Sequence, residues 1–382
     1  MCRANRRFGV THSMSDRGLV KSAGEPDLLD AERRRGRGAR SNVSGRFESE
    51  RREIVDDGWE SGADLPAFKT TLHQDSARRV ISRNESPDIS FDQSINPYRG
   101  CEHGCTYCYA RPTHCYLGHS AGLDFETQLY VKPNAAELLE AELAKPGYKP
   151  STIALGTNTD PYQPIERQLG LTRQILEVLE AARHPVGIVT KSALVLRDAD
   201  ILSRMAKDGL AKVALSVTTL DRRLARSMEP RASTPGKRLE ALRGLHAAGV
   251  RTAVMVAPII PALNDHEIEG ILEAASAAGV AEAGYVMLRL PLEIGQLFRE
   301  WLATDYPERA SRVMKLVQEM HDGRDYRSAF GLRQKGSGPY AGQVAMRFRL
   351  ALKRHGLNEC RERLRTDLFR KPAAKNGQLS LI

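Results

Sequence analysis

The chain has 382 residues, with 57 Lys/Arg against 47 Asp/Glu and only six cysteines. That length supports one substantial core plus extensions, and so few thiols exclude a disulfide scaffold. The longest apolar run, Ala253 to Leu263, is broken by two prolines and falls short of the roughly 18 apolar residues of a membrane span.

Residues 1–65 are rich in Arg, Gly, Ser and acidic residues with almost no apolar periodicity, so a mostly disordered arm is expected. The arginines near its start lack the apolar stretch of an export signal, and the expectation is a cytoplasmic protein with no membrane partner. From residue 89 short β-branched runs alternate with helical patterns. Strands are predicted at Ile89–Ile95, Thr152–Leu155, Val186–Val189, Val213–Val217, Thr252–Ala257 and Gly284–Leu288,. Between them, Asn134 and Glu137 read as a capping box ahead of Leu138, Leu139 and Leu143. Thr234 and Pro235 open a helix with Leu239, Leu242 and Leu245 on one face, closed by Gly249. Asp265 is expected to cap a helix carrying Ile268, Ile271 and Leu272. Strands separated by helices predict an α/β fold with a parallel sheet. In such folds the functional loops lie at the carboxyl ends of the strands, whether the sheet closes or stays open.

The first predicted strand runs directly into Tyr98-Arg-Gly-Cys101-Glu-His-Gly-Cys105-Thr-Tyr-Cys108-Tyr109. Three thiolates spaced C-x3-C-x2-C on one tight loop can each take an iron corner of a 4Fe-4S cubane, leaving the fourth iron open. Gly100 and Gly104 let the backbone curl around such a cluster. A structural zinc site completed by His103 or His114 is the alternative. Cys115 reads as a free thiol or a fourth ligand.

This loop, with Tyr107 before its last cysteine, resembles the radical S-adenosylmethionine superfamily over about residues 89–290, and more narrowly its spore photoproduct lyase branch. The resemblance implies a partial (β/α)6 TIM-type barrel over residues 66–290, with Cys101, Cys105 and Cys108 on the cluster. It implies S-adenosylmethionine as second cofactor, reductively cleaved to a 5′-deoxyadenosyl radical. It places Tyr107 against adenine and Lys191, at the end of Val189-Thr190-Lys191, on the methionine carboxylate. Ser216 matches a hydroxyl that contacts the cofactor. Asn158 and Asp160, in the turn Gly156-Thr-Asn-Thr-Asp160-Pro161, match a turn near the methionine amino group. Ile259, in Pro258-Ile-Ile-Pro261, falls in a loop whose backbone meets adenine. The lyase branch has a hydrogen-returning cysteine where this chain has about Thr157, so the later steps, and the hydrogen donor, are left open. No catalytic residue is assigned.

Residues 321–382 carry 14 Lys/Arg and 5 Asp/Glu, against 30 of each in residues 66–320. A helical basic extension over 291–370, with Tyr326, Phe330 and Tyr340 among its arginines, predicts a nucleic-acid partner or a solvated basic face. The tail 371–382 ends Gln378-Leu-Ser-Leu381-Ile382, which resembles the bacterial sliding-clamp-binding peptide. A flavodoxin or ferredoxin is the expected electron donor. Three readings follow: radical chemistry on nucleic acid, in DNA repair or modification; the same chemistry on a protein or small molecule; or a zinc-binding nucleic-acid module without catalysis.

Overall fold

The computed structural model describes residues 28–48 and 66–372. Strands β1 (Thr71–Gln74), β2 (Ile81–Arg83), β3 (Gln93–Ile95) and β4 (Tyr98–Arg99) come first, followed by α1 (Asp124–Thr127), β5 (Gln128–Val131) and α2 (Ala135–Leu143). Then follow β6 (Ile153–Leu155), α3 (Glu166–Leu169), α4 (Leu171–Ala181), β7 (Val186–Thr190), α5 (Ala199–Lys207) and β8 (Ala211–Ser216). The series continues with α6 (Arg222–Met228), α7 (Pro235–Ala247), β9 (Arg251–Ile259), α8 (Ile268–Ala277), β10 (Glu282–Met287), α9 (Ile294–Asp305), α10 (Pro307–Glu319) and α11 (Gly338–Arg354).

All six expected strands are present and neighbour one another in chain order, β3-β6-β7-β8-β9-β10, every pair parallel. The antiparallel β2 extends the β3 edge. This is the partial (β/α)6 barrel, and it follows from strand composition: Val186, Ile188, Val213, Leu215, Val254 and Val256 are buried against helix faces such as Ile175, Leu176 and Leu179 of α4. Strand β3 is shorter than the expected Ile89–Ile95, and Ile89 and Phe91 instead line a cavity. A second sheet, β1-β5-β4, frames the cysteine loop; strands of two to four residues leave too little alternation to be read from sequence.

Local expectations fare unevenly. Ile268, Ile271, Leu272, Leu242 and Leu245 are buried as expected, and Gly249 adopts φ 78° after α7. Asn134 and Glu137 form no capping box; Asn134 makes no side-chain cap bond and both are exposed. Thr234 precedes Pro235 without a side-chain bond either. Asp265 accepts from the Tyr340 hydroxyl at 2.5 Å rather than capping a helix, which ties α11 to the loop after β9.

Disorder does not extend over residues 28–48, where Arg37, Gly38, Ala39 and Ser41 are buried. What orders this arm is polar rather than apolar. The buried Glu126 carboxylate accepts from the backbone N–H of Gly38 (2.9 Å) and Ala39 (2.8 Å), and Ser41 donates to Glu300 at 2.7 Å. The C-terminal extension holds α9, α10 and α11, with a non-helical stretch over 320–337, and the last helix ends at Arg354. Beyond it the chain crosses the amino ends of the strands through Asn358 to Ala281, Arg365 to Gly209 and Arg370 to Ala182. Gln378–Ile382 lies outside the described residues. Among those described, no helix is long and apolar enough to cross a membrane.

Candidate active site

The cysteine loop leaves β3 and β4 at the carboxyl end of the barrel. Gly100 (φ 80°) and Gly104 (φ 68°) take left-handed conformations and bend the backbone as expected. Cys101 and Cys105 are buried, Cys108 is half-buried, and all three are free thiols. Burial pushes the Cys105 thiol up to about 12 and raises Cys101 as well, so in the absence of a cation both stay protonated. This soft, unpaired donor set suits iron. The zinc alternative finds no support in the histidines. His103 faces Asp160, Nδ1 to Oδ2 3.3 Å, and His114 stacks on His119. Among the described residues no three His, Cys, Asp or Glu side chains are grouped tightly enough to hold a single ion.

Two buried carboxylates brace the loop. Glu126 takes Arg111 at 2.5 Å besides the arm amides, and Arg111 also donates to the Cys105 carbonyl at 2.9 Å. On the other side Glu229 accepts from the hydroxyls of Tyr107 and Thr218 and is paired with Arg238. Burial alone would raise Glu229, yet Arg238 and Lys191 hold it at about 2. Arg238 also donates to the Ser216 carbonyl at 2.9 Å. None of these four residues, Glu229, Arg238, Glu126 or Arg111, belongs to a motif read in the sequence; the long-range contacts of Glu229 to Tyr107 and of Glu126 to Gly38 and Ala39 appear only in the folded chain.

A cavity of about 770 Å³ opens beside the loop. Its inner end collects Tyr107, Asn158, Lys191 and Ser216, four of the six expected cofactor residues, from four different strand ends. The Lys191 ammonium lies 5.7 Å from the Tyr107 ring centroid. Burial would lower Lys191, but the neighbouring Cys105 and Glu229 raise it, so it enters the cavity charged. Asp160 and Ile259, the other two, do not line the cavity. Asp160 accepts from Thr190 (2.7 Å), from the Lys191 N–H (2.8 Å) and from Tyr162 (2.9 Å), and faces His103. Burial would raise it, and His103 with these donors depresses it to about 2. Its carboxylate joins strand ends and has no lone pair free for a ligand ammonium. Ile259 is in the core with its carbonyl bound to Leu288 N–H; Ala257 and Pro258 line the cavity instead.

The outer end has a different character. Arg83, Arg289 and Arg333 line the cavity together with Phe91, Tyr109 and Tyr326, and among the described residues no Asp or Glu lines it. The Arg289 guanidinium sits 4.1 Å over the Tyr109 ring, and Arg333 sits 4.8 Å over the exposed Phe330. Tyr109 donates to the Thr157 carbonyl. Arg333 is fixed by Asp88 at 2.6 Å.

A three-thiol loop over the carboxyl ends of a partial parallel barrel, with a cavity alongside, defines an enzyme built around an iron–sulfur cofactor. Residues 95–275 match the Radical SAM superfamily, and the chain belongs to it. Its cofactors are a 4Fe-4S cluster and S-adenosylmethionine. An uncharacterised protein of Mycobacterium bovis is 40% identical over 254 residues, 65% of this chain and 74% of that one. Another uncharacterised protein, from Methanocaldococcus jannaschii, is 29% identical over 232 residues, 61% of this chain and 82% of its own. The fold is similar to spore photoproduct lyase complexed with dinucleoside spore photoproduct, at TM-score 0.56 and 17% identity, covering 81% of this chain and 86% of that one.

Proposed function

We propose that this radical S-adenosylmethionine enzyme acts on nucleic acid, in repair or modification of DNA. The observation that carries the reading is the cavity lining: three arginines together with aromatic rings and, among the described residues, no carboxylate. Arginines suit phosphate oxygens, and exposed aromatic faces suit an unstacked base. The lyase of similar fold was solved with a dinucleoside photoproduct, which supports the same substrate class.

In this reading Cys101, Cys105 and Cys108 hold the cluster. When bound and reduced there, S-adenosylmethionine supplies a 5′-deoxyadenosyl radical. Lys191 would hold the methionine carboxylate, Asn158 and Ser216 would donate or accept around it, and Tyr107, locked by Glu229, would fix the wall beside it. Ala257 and Pro258, which line the cavity, would border the adenine. Cluster chemistry of this kind belongs in a reducing compartment, which supports a cytoplasmic location. A clamp contact through Gln378–Ile382 would bring the enzyme to DNA under synthesis. The basic extension contributes less free charge than its composition suggests, because Arg333, Arg347 and Arg365 are paired with Asp88, Glu269 and Asp367.

The test is binding of single-stranded and duplex oligonucleotides at several salt concentrations, with 5′-deoxyadenosine release measured in parallel. Arg289→Ala, which removes a cation with no carboxylate partner among the described residues, is expected to lower the slope of log affinity against log salt by about 1, and Arg333→Ala, whose cation is already paired with Asp88, by less,. DNA that neither binds in a salt-dependent way nor stimulates 5′-deoxyadenosine release would end the nucleic-acid reading.

A further inference from the structure

We infer that the outer face of α6 is the docking surface for the protein that reduces the cluster, and that this partner is a small one-electron carrier with an acidic surface. The inference rests on the assignment of the cluster to Cys101, Cys105 and Cys108.

Helix α6 is a partition one helix thick. On its inner side Leu224 and Met228 share a packed cluster with Cys105 and Tyr107, and the Met228 carbonyl accepts from the Thr106 N–H at 3.0 Å, inside the cysteine loop. On its outer side Arg222, Arg223 and Arg226 are exposed. Arginines elsewhere are commonly paired, as Arg173, Arg197, Arg204, Arg251 and Arg299 show. Among the described residues none of the three on α6 has such a partner. The acid next to them, Asp221, is spent on the amides of Arg223 and Leu224 at the start of the helix. Asp305 is taken by Arg40.

The helix is also held firmly against the loop. Trp301 donates to the Ser227 carbonyl at 3.1 Å, the Arg231 N–H to the His103 carbonyl at 3.3 Å, and Arg231 pairs with Glu102 at 3.2 Å. No residue of α6 lines the cavity. A carrier seated there is separated from the cysteine loop by the thickness of one helix and leaves the substrate opening free. Electron transfer falls steeply with distance, so such a thin wall is where a donor must sit. One electron leaves the carrier, which is oxidised by one, and one enters the cluster, which is reduced by one; no bond in this chain breaks. Three unpaired cations attract an acidic carrier and steer its approach.

The experiment compares the wild type with Arg222→Glu/Arg223→Glu/Arg226→Glu, and with Arg349→Glu/Lys353→Glu/Arg354→Glu on α11 as an equal change of charge. The probe is flavodoxin. Its affinity is titrated in the oxidised form at low and high salt, and its hydroquinone is used to bleach the cluster in stopped flow, with dithionite as small-molecule reductant. For the α6 variant the expected result is a reduction rate and an affinity each lowered about tenfold or more, with a flattened salt dependence. Dithionite reduction and dithionite-driven 5′-deoxyadenosine release stay at wild-type values. Unchanged flavodoxin binding in the α6 variant, or an equal loss in the α11 variant, overturns the inference alone. So does a loss confined to DNA affinity, which would give the face to substrate. A wild type that takes no electron from dithionite overturns the cluster assignment, and the docking surface with it.

Discussion

Removing Arg238 should reveal how much the cysteine loop depends on a charge pair that sequence patterning does not show. Arg238→Met keeps most of the volume and deletes the guanidinium, leaving Glu229, 2% exposed, with the Tyr107 and Thr218 hydroxyls as its remaining partners. Breaking a buried pair on one side costs about 3–5 kcal/mol. The depression of Glu229 from 4.5 to about 2 gives an independent figure of about 3 kcal/mol. The pH dependence has a definite sign. In the wild type a depressed carboxylate contributes stability that is complete above pH 4.5 and lost as the pH falls toward 2,. In the variant only Lys191 and the Tyr107 hydroxyl still oppose burial, so the folded-state value of Glu229 rises from its depressed position and the stability lost is greatest at high pH,. Urea unfolding followed by the fluorescence of buried Trp301 should show the variant less stable by about 3–5 kcal/mol at pH 8, with the gap narrowing by pH 5.5. Adding Glu229→Leu should recover most of the loss. A variant within about 1 kcal/mol of wild type at pH 8, or a gap that does not change with pH, would refute the reasoning.

Cys101→Ala, Cys105→Ala and Cys108→Ala should each abolish the 4Fe-4S signal and 5′-deoxyadenosine release, whereas Cys115→Ala should retain iron and sulfide; anaerobic metal analysis reads both. Lys191→Met should weaken S-adenosylmethionine binding by about 10- to 100-fold, the worth of one hydrogen bond to a charged group. Iron content should stay unchanged, and equilibrium dialysis separates the two effects. Gly38→Ala would put a Cβ 1.7 Å from the Gly104 carbonyl oxygen. The arm should therefore detach, seen as rapid tryptic cleavage near Arg37 and faster loss of iron to a chelator. Because Cys101 and Cys105 are raised by burial and must be deprotonated to bind metal, cluster affinity should climb between pH 7 and pH 9; a flat iron-retention profile would count against those two ligands.

The barrel is legible in the sequence because its strands are buried on both faces and so read as continuous β-branched runs, bounded by amphipathic helices of the right period. The cysteine loop is legible because three thiols within eight residues seldom fall together unless they bind a common metal group. Contacts between distant segments are not legible. Asp160 sits in a polar turn that looks available for an ammonium, but besides the nearby Tyr162 amide the groups that occupy it are Thr190, the Lys191 amide and His103, 30 to 57 residues away. Ile259 takes its expected place from its loop, and only the strand register shows that β9 continues through it to pair with β10. Lack of apolar periodicity, which marks the arm as disordered, is a fair guide to hydrophobic cores. It is blind to a segment ordered by donating its backbone N–H groups to a buried carboxylate almost ninety residues away.

Those failures share a cause that bears on the chemistry. A loop with two buried thiols and two left-handed glycines has little apolar surface of its own to fix its shape. Packing alone would leave it loose, and a cluster bound there would wander relative to the cofactor. Glu126 and Glu229 supply what packing does not: each is a carboxylate removed from water and saturated with donors from distant parts of the chain. Glu126 gathers the arm and Arg111, while Glu229 gathers β8, α7 and Tyr107. Charge-assisted hydrogen bonds are directional where apolar contacts are not, so two such nodes on opposite sides specify where the loop sits as well as how tightly. The same saturation explains why neither carboxylate faces the cavity, and why its charged groups are all cations. Acids near the reacting centre are consumed in holding it, and the cations that line the cavity, with Arg333 alone of its arginines held, among the described residues, by an acid outside the lining, face the opening through which a polyanion would come.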